Sequence, residues 1–204
     1  MKDLKNTAHG THGVYERNAS QFDQDRIKTL FERSWLEKFE GLLSENASIL
    51  DVGCGTGEPI ARYFIEKGYE LTGVDYAQAM IRLVKRRFPE QHWHLADMRN
   101  LDLGREFDGL LGWHSFFHLT REEQRAVLPL FARHLTPGGV MMLTVGPEEG
   151  ECSGHIAGED VYHASLSPEE YQTVLDGLDF EIMDFVVEDP ECGFATILLA
   201  RKRI

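Results

Sequence analysis

The chain has 204 residues, of which 42% are hydrophobic and 27% charged, the balance of a globular domain large enough to bury a substantial core. Its 34 acidic residues against 21 Lys and Arg give a formal net charge of −13, a field that repels a phosphate backbone and speaks against nucleic acid as a partner. No apolar leader or membrane-length apolar run occurs, and Cys54, Cys152 and Cys192 are dispersed. One domain spanning 1–204 is expected, reduced and cytoplasmic, with no membrane partner, no disulfide framework and no metal.

Residues 1–13 are polar without periodicity and are expected to be mobile. From Val14 the pattern changes. Val14, Tyr15, Ala19 and Phe22, then Ile27, Leu30, Phe31, Trp35, Leu36, Phe39 and Leu42, recur at helical spacing and predict one or two covering helices within 14–44. Ile49 to Val52, with Asp51 near its end, reads as a buried strand of a parallel sheet. It stops at Gly53, Gly55 and Gly57, alternating glycines that let a ligand approach bare backbone. The sixth place counted from Gly53 is Glu58, a negative charge where a dinucleotide's pyrophosphate would sit, and the turn lacks the lysine of a P-loop. The expected ligand is therefore cationic or zwitterionic.

Ile60, Ala61, Phe64 and Ile65 form a helix stripe that Gly68 ends. Leu71 to Val74 is the second strand, followed by Asp75 and Tyr76. An acid at this tip, ~20 residues past the glycines, accepts from both hydroxyls of an adenosine ribose or caps the next helix, and the two roles are compatible. Met80, Ile81, Leu83 and Val84 continue as a helix, and His92 to Leu95 is a third strand ending at Asp97 and Met98.

Phe107 to Trp113 is a fourth strand at the centre of the sheet, its tip carrying Trp113, His114 and His118. An aromatic face favours a cation by roughly 0.5–2 kcal/mol, a role open to Trp113. His114 and His118 are the candidate general bases; His118 alternatively buries against the sheet, and the pair lacks a third ligand for zinc. Thr120 to Glu123 is a capping box opening a helix to His134, Thr136-Pro-Gly-Gly139 turns the chain, and Val140 to Val145 is a fifth strand. Residues 146–167 read as a long polar loop at the same sheet edge, a candidate lid whose His155, Tyr162 and His163 would meet the substrate. Ser167-Pro168 opens a last helix, and Phe180 to Val187 with Phe194 to Ala200 closes the sheet as a hairpin.

Asp51 to Gly57 resembles motif I of the class I S-adenosylmethionine (SAM)-dependent methyltransferases, and Gly73-Val74-Asp75, Ala96-Asp97-Met98 and Leu135 to Gly139 follow in that family's order. The resemblance implies an α/β, Rossmann-like, doubly wound seven-stranded sheet, mostly parallel with the last strand antiparallel and helices on both faces. It implies SAM as cofactor, S-adenosylhomocysteine as product and a small-molecule acceptor, with the oligomeric state left open. Cofactor contacts are implied for Asp51, Gly53, Gly55, Gly57, Asp75, Tyr76 and Trp113, with Met80 packing on adenine. Asp97 would accept the adenine amine beside the Met98 N–H, and Tyr15 or Arg17 would meet the methionine carboxylate. Ala77 stands where the family usually carries Ser or Thr, which weakens a helix cap. The tip of strand four lacks the Asn/Asp-Pro-Pro-Tyr/Phe of nucleic-acid adenine methyltransferases. Two rivals from other classes are a nicotinamide-dependent oxidoreductase, opposed by Glu58 and Asp97, and a SAM-binding module that transfers nothing.

Overall fold

The computed structural model describes residues 4–204. In chain order the elements are α1 (Leu4–Asp25), α2 (Arg33–Glu40), β1 (Ser48–Val52), α3 (Ile60–Glu66), β2 (Glu70–Asp75), α4 (Gln78–Arg87), β3 (His92–Leu95), β4 (Phe107–Gly112), α5 (Arg121–Arg133), β5 (Leu135–Val145), β6 (Gly150–Ile156), β7 (Glu159–Ser165), α6 (Pro168–Asp176), β8 (Phe180–Asp189) and β9 (Ala195–Lys202). Seven strands form one sheet in the order β3-β2-β1-β4-β5-β9-β8. Strands β1 to β5 pair in parallel, and only β9 runs against the rest. The expected doubly wound sheet is the one observed.

Strand periodicity divides the core. Successive side chains point to opposite faces, so an apolar strand needs cover on both. Leu50, Val52, Leu110, Met141 and Leu143 pack with Val127 and Phe131 of α5 and Tyr171 and Leu175 of α6. Their neighbours Ile49, Leu111, Val140 and Met142 pack on the other side, against Trp35 and Phe39 of α2, Phe64 of α3, and Ile81 and Val84 of α4. The helices start where the sequence says. Thr120 and Glu123 close a reciprocal capping box on α5, and the Ser167 hydroxyl accepts from the Glu170 N–H with Pro168 at the first position of α6.

Three expectations are corrected. The N-terminal stretch is not a mobile tail, because 4–13 belong to the 22-residue helix α1; only residues 1–3 of the stretch lie outside the described residues. Gly10 and Gly13 each cost about 1 kcal/mol of helix propensity, which hid it. Tertiary contacts hold it instead: the Thr11 hydroxyl accepts the Tyr162 N–H at 2.9 Å, and Arg17 and Asn18 donate to Glu159 at 2.5 and 2.7 Å.

The expected loop 146–167 is largely an antiparallel hairpin, β6 with β7. Its two-residue turn, Ala157-Gly158, has φ values of 49° and 81°, the left-handed pair that matches strand twist. Thr136 to Gly139, read as a turn, lies inside β5, where the pairing with β4 shifts register between Phe107 and Gly109.

Gly73 of β2 tests the close packing beneath the sheet. A Cβ there would lie 2.3 Å from the Trp93 ring and 3.0 Å from Cys54 Sγ. Gly73→Ala should lower stability by about 1–3 kcal/mol, seen as a lower urea midpoint at unchanged slope.

Candidate cofactor and acceptor site

Strand β1 lies between β2 and β4, so the connections leaving β1 and β4 diverge to opposite faces and open a crevice at the carboxyl edge. A cavity of 460 Å³ fills that crevice. Its floor is the glycine turn, its walls are the tips of β2, β3 and β4, and its roof is α1 with the β6–β7 hairpin.

The turn is shaped by what a side chain would strike. Gly53 has φ 77°, and a Cβ on it would lie 2.2 Å from Ser115 Cβ, while the Ser115 hydroxyl donates to the Val52 carbonyl at 2.6 Å. A Cβ on Gly55 would meet nothing closer than Phe22 at 3.8 Å, so Gly55 presents bare backbone to open space. Asp75 Oδ2 accepts the Gly55 N–H at 2.9 Å and Oδ1 accepts the Ala77 N–H at 2.8 Å. Burial raises the Asp75 carboxyl above its ordinary range, against the pull of those two N–H groups. Asp51 is buried beside it without a hydrogen-bond partner among the described residues. Burial first, then the Asp75 charge, pushes its pKa up to about 7. A carboxylate so placed favours a cation over any anion.

At the other end of the cavity, Asp97 holds the Arg99 side chain through two 2.9 Å bonds from Nε, and Arg99 also reaches Glu123 at 3.0 Å. A carboxylate offers about four acceptor sites, so Asp97 keeps capacity for a ligand N–H. Tyr76 stacks on His12 with ring centroids 4.0 Å apart, the Arg99 guanidinium 5.3 Å from its centroid. Met80, buried on α4, completes an apolar slot with Met98.

The strand-four tip differs in kind. Trp113 is 5% exposed and its indole N–H has no partner among the described residues. His114 has φ 51° and its N–H donates to the Thr144 hydroxyl at 2.7 Å, leaving its ring nitrogens unpartnered among the described residues. His118 is tied at both nitrogens: Nδ1 lies 2.8 Å from the Tyr162 carbonyl and Nε2 lies 2.8 Å from the Tyr15 hydroxyl. A carbonyl only accepts, so Nδ1 carries the proton, and Nε2 accepts from Tyr15. Burial pushes His114 down to about 4 and His118 to about 3, so both are neutral at pH 7. Burial also raises the Tyr15 hydroxyl far above its usual value. Phe117 sits 4.6 Å from the His163 ring and 4.8 Å from the His118 ring, binding the tip to the hairpin.

The structure brings together Tyr15, Asp51, Gly53, Gly55, Gly57, Asp75, Tyr76, Met80, Asp97, Met98, Trp113, His114, His118, His155 and His163 around this cavity. Tyr162 is a correction: its side chain is 2% exposed and outside the lining, and it contributes its backbone only, to Thr11 and His118. Arg17 is another, its guanidinium spent on Glu159 at the surface. Glu58 is drawn onto Arg62 at 2.6 Å and Arg87 at 3.5 Å, so its charge is neutralised within the protein. Selection against a pyrophosphate rests on Asp51, Asp75 and the missing third glycine.

Sequence reasoning missed Arg26, which lines the cavity with one bond to the buried Glu32 at 3.0 Å and its other donors unpartnered among the described residues. Its signal was the spacing Tyr15, Phe22, Arg26, one face of a helix. It also missed Gly154, where a Cβ would lie 2.6 Å from the His163 ring; that glycine gives His163 its place. Among the described residues no group of three or more His, Cys, Asp or Glu could hold a metal ion, and no helix is long and apolar enough to cross a membrane.

A family profile described as "Methyltransferase domain" matches residues 49–139. Residues 49–139 thus carry a methyltransferase domain. The chain is 32% identical over 152 residues to a dTDP-4-amino-2,3,4,6-tetradeoxy-D-glucose N,N-dimethyltransferase of Saccharopolyspora spinosa, covering 70% of this chain and 60% of that one. It is 36% identical over 101 residues to a dTDP-3-amino-3,4,6-trideoxy-alpha-D-glucopyranose N,N-dimethyltransferase of Streptomyces venezuelae, covering 48% of this chain and 42% of that one. The matches thus span well under two thirds of these relatives' length. The SAM-bound amino pentose methyltransferase CalS10 of Micromonospora echinaspora shares its fold at TM-score 0.71 and 21% identity, over 91% of this chain and 96% of that one.

The cavity fits SAM on its own terms: unpaired Asp51 for a cationic group, Asp75 for vicinal hydroxyls, open backbone at Gly55 and a buried aromatic at Trp113. Asp75→Ala should weaken SAM by more than tenfold in calorimetry, a loss above about 1.4 kcal/mol. Asp51 sets a pH dependence. A cationic ligand favours its ionised form, so below about pH 7 binding must first expel a proton. SAM affinity should therefore rise by up to ~10-fold per pH unit as pH climbs toward 7 and level off above it, and Asp51→Asn should flatten the curve.

Proposed function

We propose that this chain transfers the methyl group of SAM to an amino group of a small-molecule acceptor. The observation that carries this reading is the charge of the cavity. Asp51, Asp75, Asp97 and Glu123 line it against Arg26 and Arg99, both arginines are already paired with carboxylates, and Glu58 is spent on Arg62 and Arg87. Such a field draws in a cationic sulfonium and a basic amine, and it opposes a free carboxylate acceptor. The named activities of the relatives fall on both sides. Three are N,N-dimethyltransferases of dTDP-amino sugars, whereas the Salmonella typhimurium relative, 34% identical over 133 residues, is a malonyl-acyl-carrier-protein O-methyltransferase. The field favours the amine side.

In this reading Asp75 holds the ribose hydroxyls, Asp97 and the Met98 N–H hold adenine in the slot beside Met80, and Asp51 meets the methionyl ammonium. The free donors of Arg26 meet the methionyl carboxylate, with Glu32 aiming the guanidinium. Bound SAM supplies a methyl already activated by positive sulfur, so what the protein adds is alignment and exclusion of water. Trp113 and Phe117 line the reactive end and keep it dry. His114 offers an unpartnered ring nitrogen to an N–H of the acceptor.

Neither histidine serves as a stoichiometric base. Taking a proton from an alkylammonium near pKa ~10 onto an imidazole near 4 costs about 8 kcal/mol. The amine must arrive as the free base, and His118, holding Tyr15, shapes the pocket. The kcat/KM profile should then rise with pH toward the amine's own pKa, with histidine protonation entering only below about pH 4.

The test is a panel of small amines, carboxylates, thiols and phenols scored by S-adenosylhomocysteine release. Turnover of amines is expected, and turnover of carboxylates with amines inert would overturn the acceptor class. Calorimetry with SAM and NAD reads the cofactor separately: SAM should bind, and NAD binding without SAM binding would refute the reading outright.

A further inference from the structure

Helix α4 begins at the cofactor cavity and lacks its own cap. Ala77 occupies the N-cap position with φ −84° and ψ 117° and has no side chain to accept the N–H groups of the first turn. Asp75 takes the Ala77 N–H, which leaves the next turn open. The missing acceptor comes from another helix. Glu16 of α1 accepts the Ala79 N–H at 2.9 Å through Oε2, and its Oε1 faces Arg82 at 3.5 Å. A carboxylate at a helix N-terminus satisfies an orphan donor and meets the positive end of the helix dipole.

The substitution and the cap belong together. Ala77 is 1% exposed and packs with Ala19 of α1 and Met80 of α4, with Tyr15 and Phe22 beside them. A small residue at 77 lets α1 lie close, and Glu16 then restores the cap from above. About two turns further on, Asp23 of α1 accepts from Arg87 of α4 at 2.9 and 2.7 Å, and Arg87 also donates to the Thr56 carbonyl of the glycine turn at 2.7 Å. Tyr15 and Phe22, each next in sequence to one of these ties, face the cavity.

We propose that Glu16 is a positioning residue that latches α1 over the bound cofactor. The Ala79 N–H of α4 has its acceptor only while α1 is down, so opening the cavity costs α4 that bond. Closure of the roof and order at the head of α4, next to Asp75 and Met80, thereby become one event. This rests on the reading that the cavity takes SAM, but the latch itself is a contact between two helices.

Two readouts separate a latch from a simple helix cap. Hydrogen exchange on the cofactor-free protein should show faster exchange in both α1 and the first turn of α4 for Glu16→Ala, and stopped-flow release of S-adenosylhomocysteine should accelerate about fivefold, the factor that a typical cap is worth. The double variant Glu16→Ala/Ala77→Ser puts an acceptor back on α4 itself. A latch predicts that α4 protection recovers while release stays fast and α1 stays loose; recovery of slow release in the double variant would reduce Glu16 to a cap and overturn the proposal. Glu16→Gln, which keeps an acceptor oxygen, guards against a folding defect and should fall between wild type and Glu16→Ala in both readouts. If S-adenosylhomocysteine fails to bind the wild-type protein, the cofactor reading falls alone. The latch is then judged on exchange in α1, and unchanged exchange in Glu16→Ala refutes it.

Discussion

The carboxylate of Asp75 joins two backbones that would otherwise part. One oxygen takes the N–H of Gly55 in the turn after β1, and the other takes the N–H of Ala77 at the head of α4. Neither donor has a partner in a strand or helix, and leaving a buried N–H unmade costs about 1–3 kcal/mol. The bridge therefore fixes the distance between the glycine turn and the tip of β2, two surfaces that bound the cavity. Burial of Asp51, and secondarily the charge of Asp75 beside it, lets that second carboxyl hold its proton to about pH 7. The geometry at this end of the cavity thus follows from one side chain placed at one strand tip.

From that end to the other the cavity changes character. Asp51, Asp75, Asp97 and Glu123 line the side away from the strand-four tip, where Arg99 is shared between Asp97 and Glu123 and no base pairs with Asp51 or Asp75 among the described residues, so the local field stays negative. The strand-four tip instead carries aromatic rings and imidazoles that burial keeps neutral. A site of this kind suits chemistry whose driving force arrives with the cofactor: the protein positions, desolvates and accepts hydrogen bonds, and holds no strong base in reserve.

The roof is built from contacts far apart in sequence. Helix α1 is fastened to the hairpin by Thr11, Arg17 and Asn18 and to α4 by Glu16 and Asp23. The hairpin in turn is fastened below. Gln124 of α5 donates to the Ala164 carbonyl at 2.8 Å and accepts from the Tyr171 hydroxyl at 2.7 Å, so the capped helices α5 and α6 hold β7 where His163 can meet Phe117. Buried polar groups so joined specify one arrangement, since any other leaves them unpaired.

The sequence by itself determined the sheet, its strand tips and the residues there that line the cavity. Apolar runs of β1, β2, β4 and β5 read without ambiguity because burial on both faces leaves no other composition, and Gly53, Gly55 and Asp75 are dictated by local backbone geometry at a strand end. The tertiary structure alone decided the roof. The first part of helix α1, 4–13, carries glycines and histidines and no apolar stripe, and the hairpin 150–165 alternates weakly around Ala157-Gly158, so neither announces itself by propensity, whereas the α1 residues from Val14 onward read as helix. Both exist because they pack on each other and on α4. The same long-range contacts closed Tyr162 inside, brought Arg26 to the cavity, and turned His118 from a candidate base into the anchor of Tyr15. Local rules place a residue on an element; which partner satisfies its polar groups is settled only when elements distant in sequence meet.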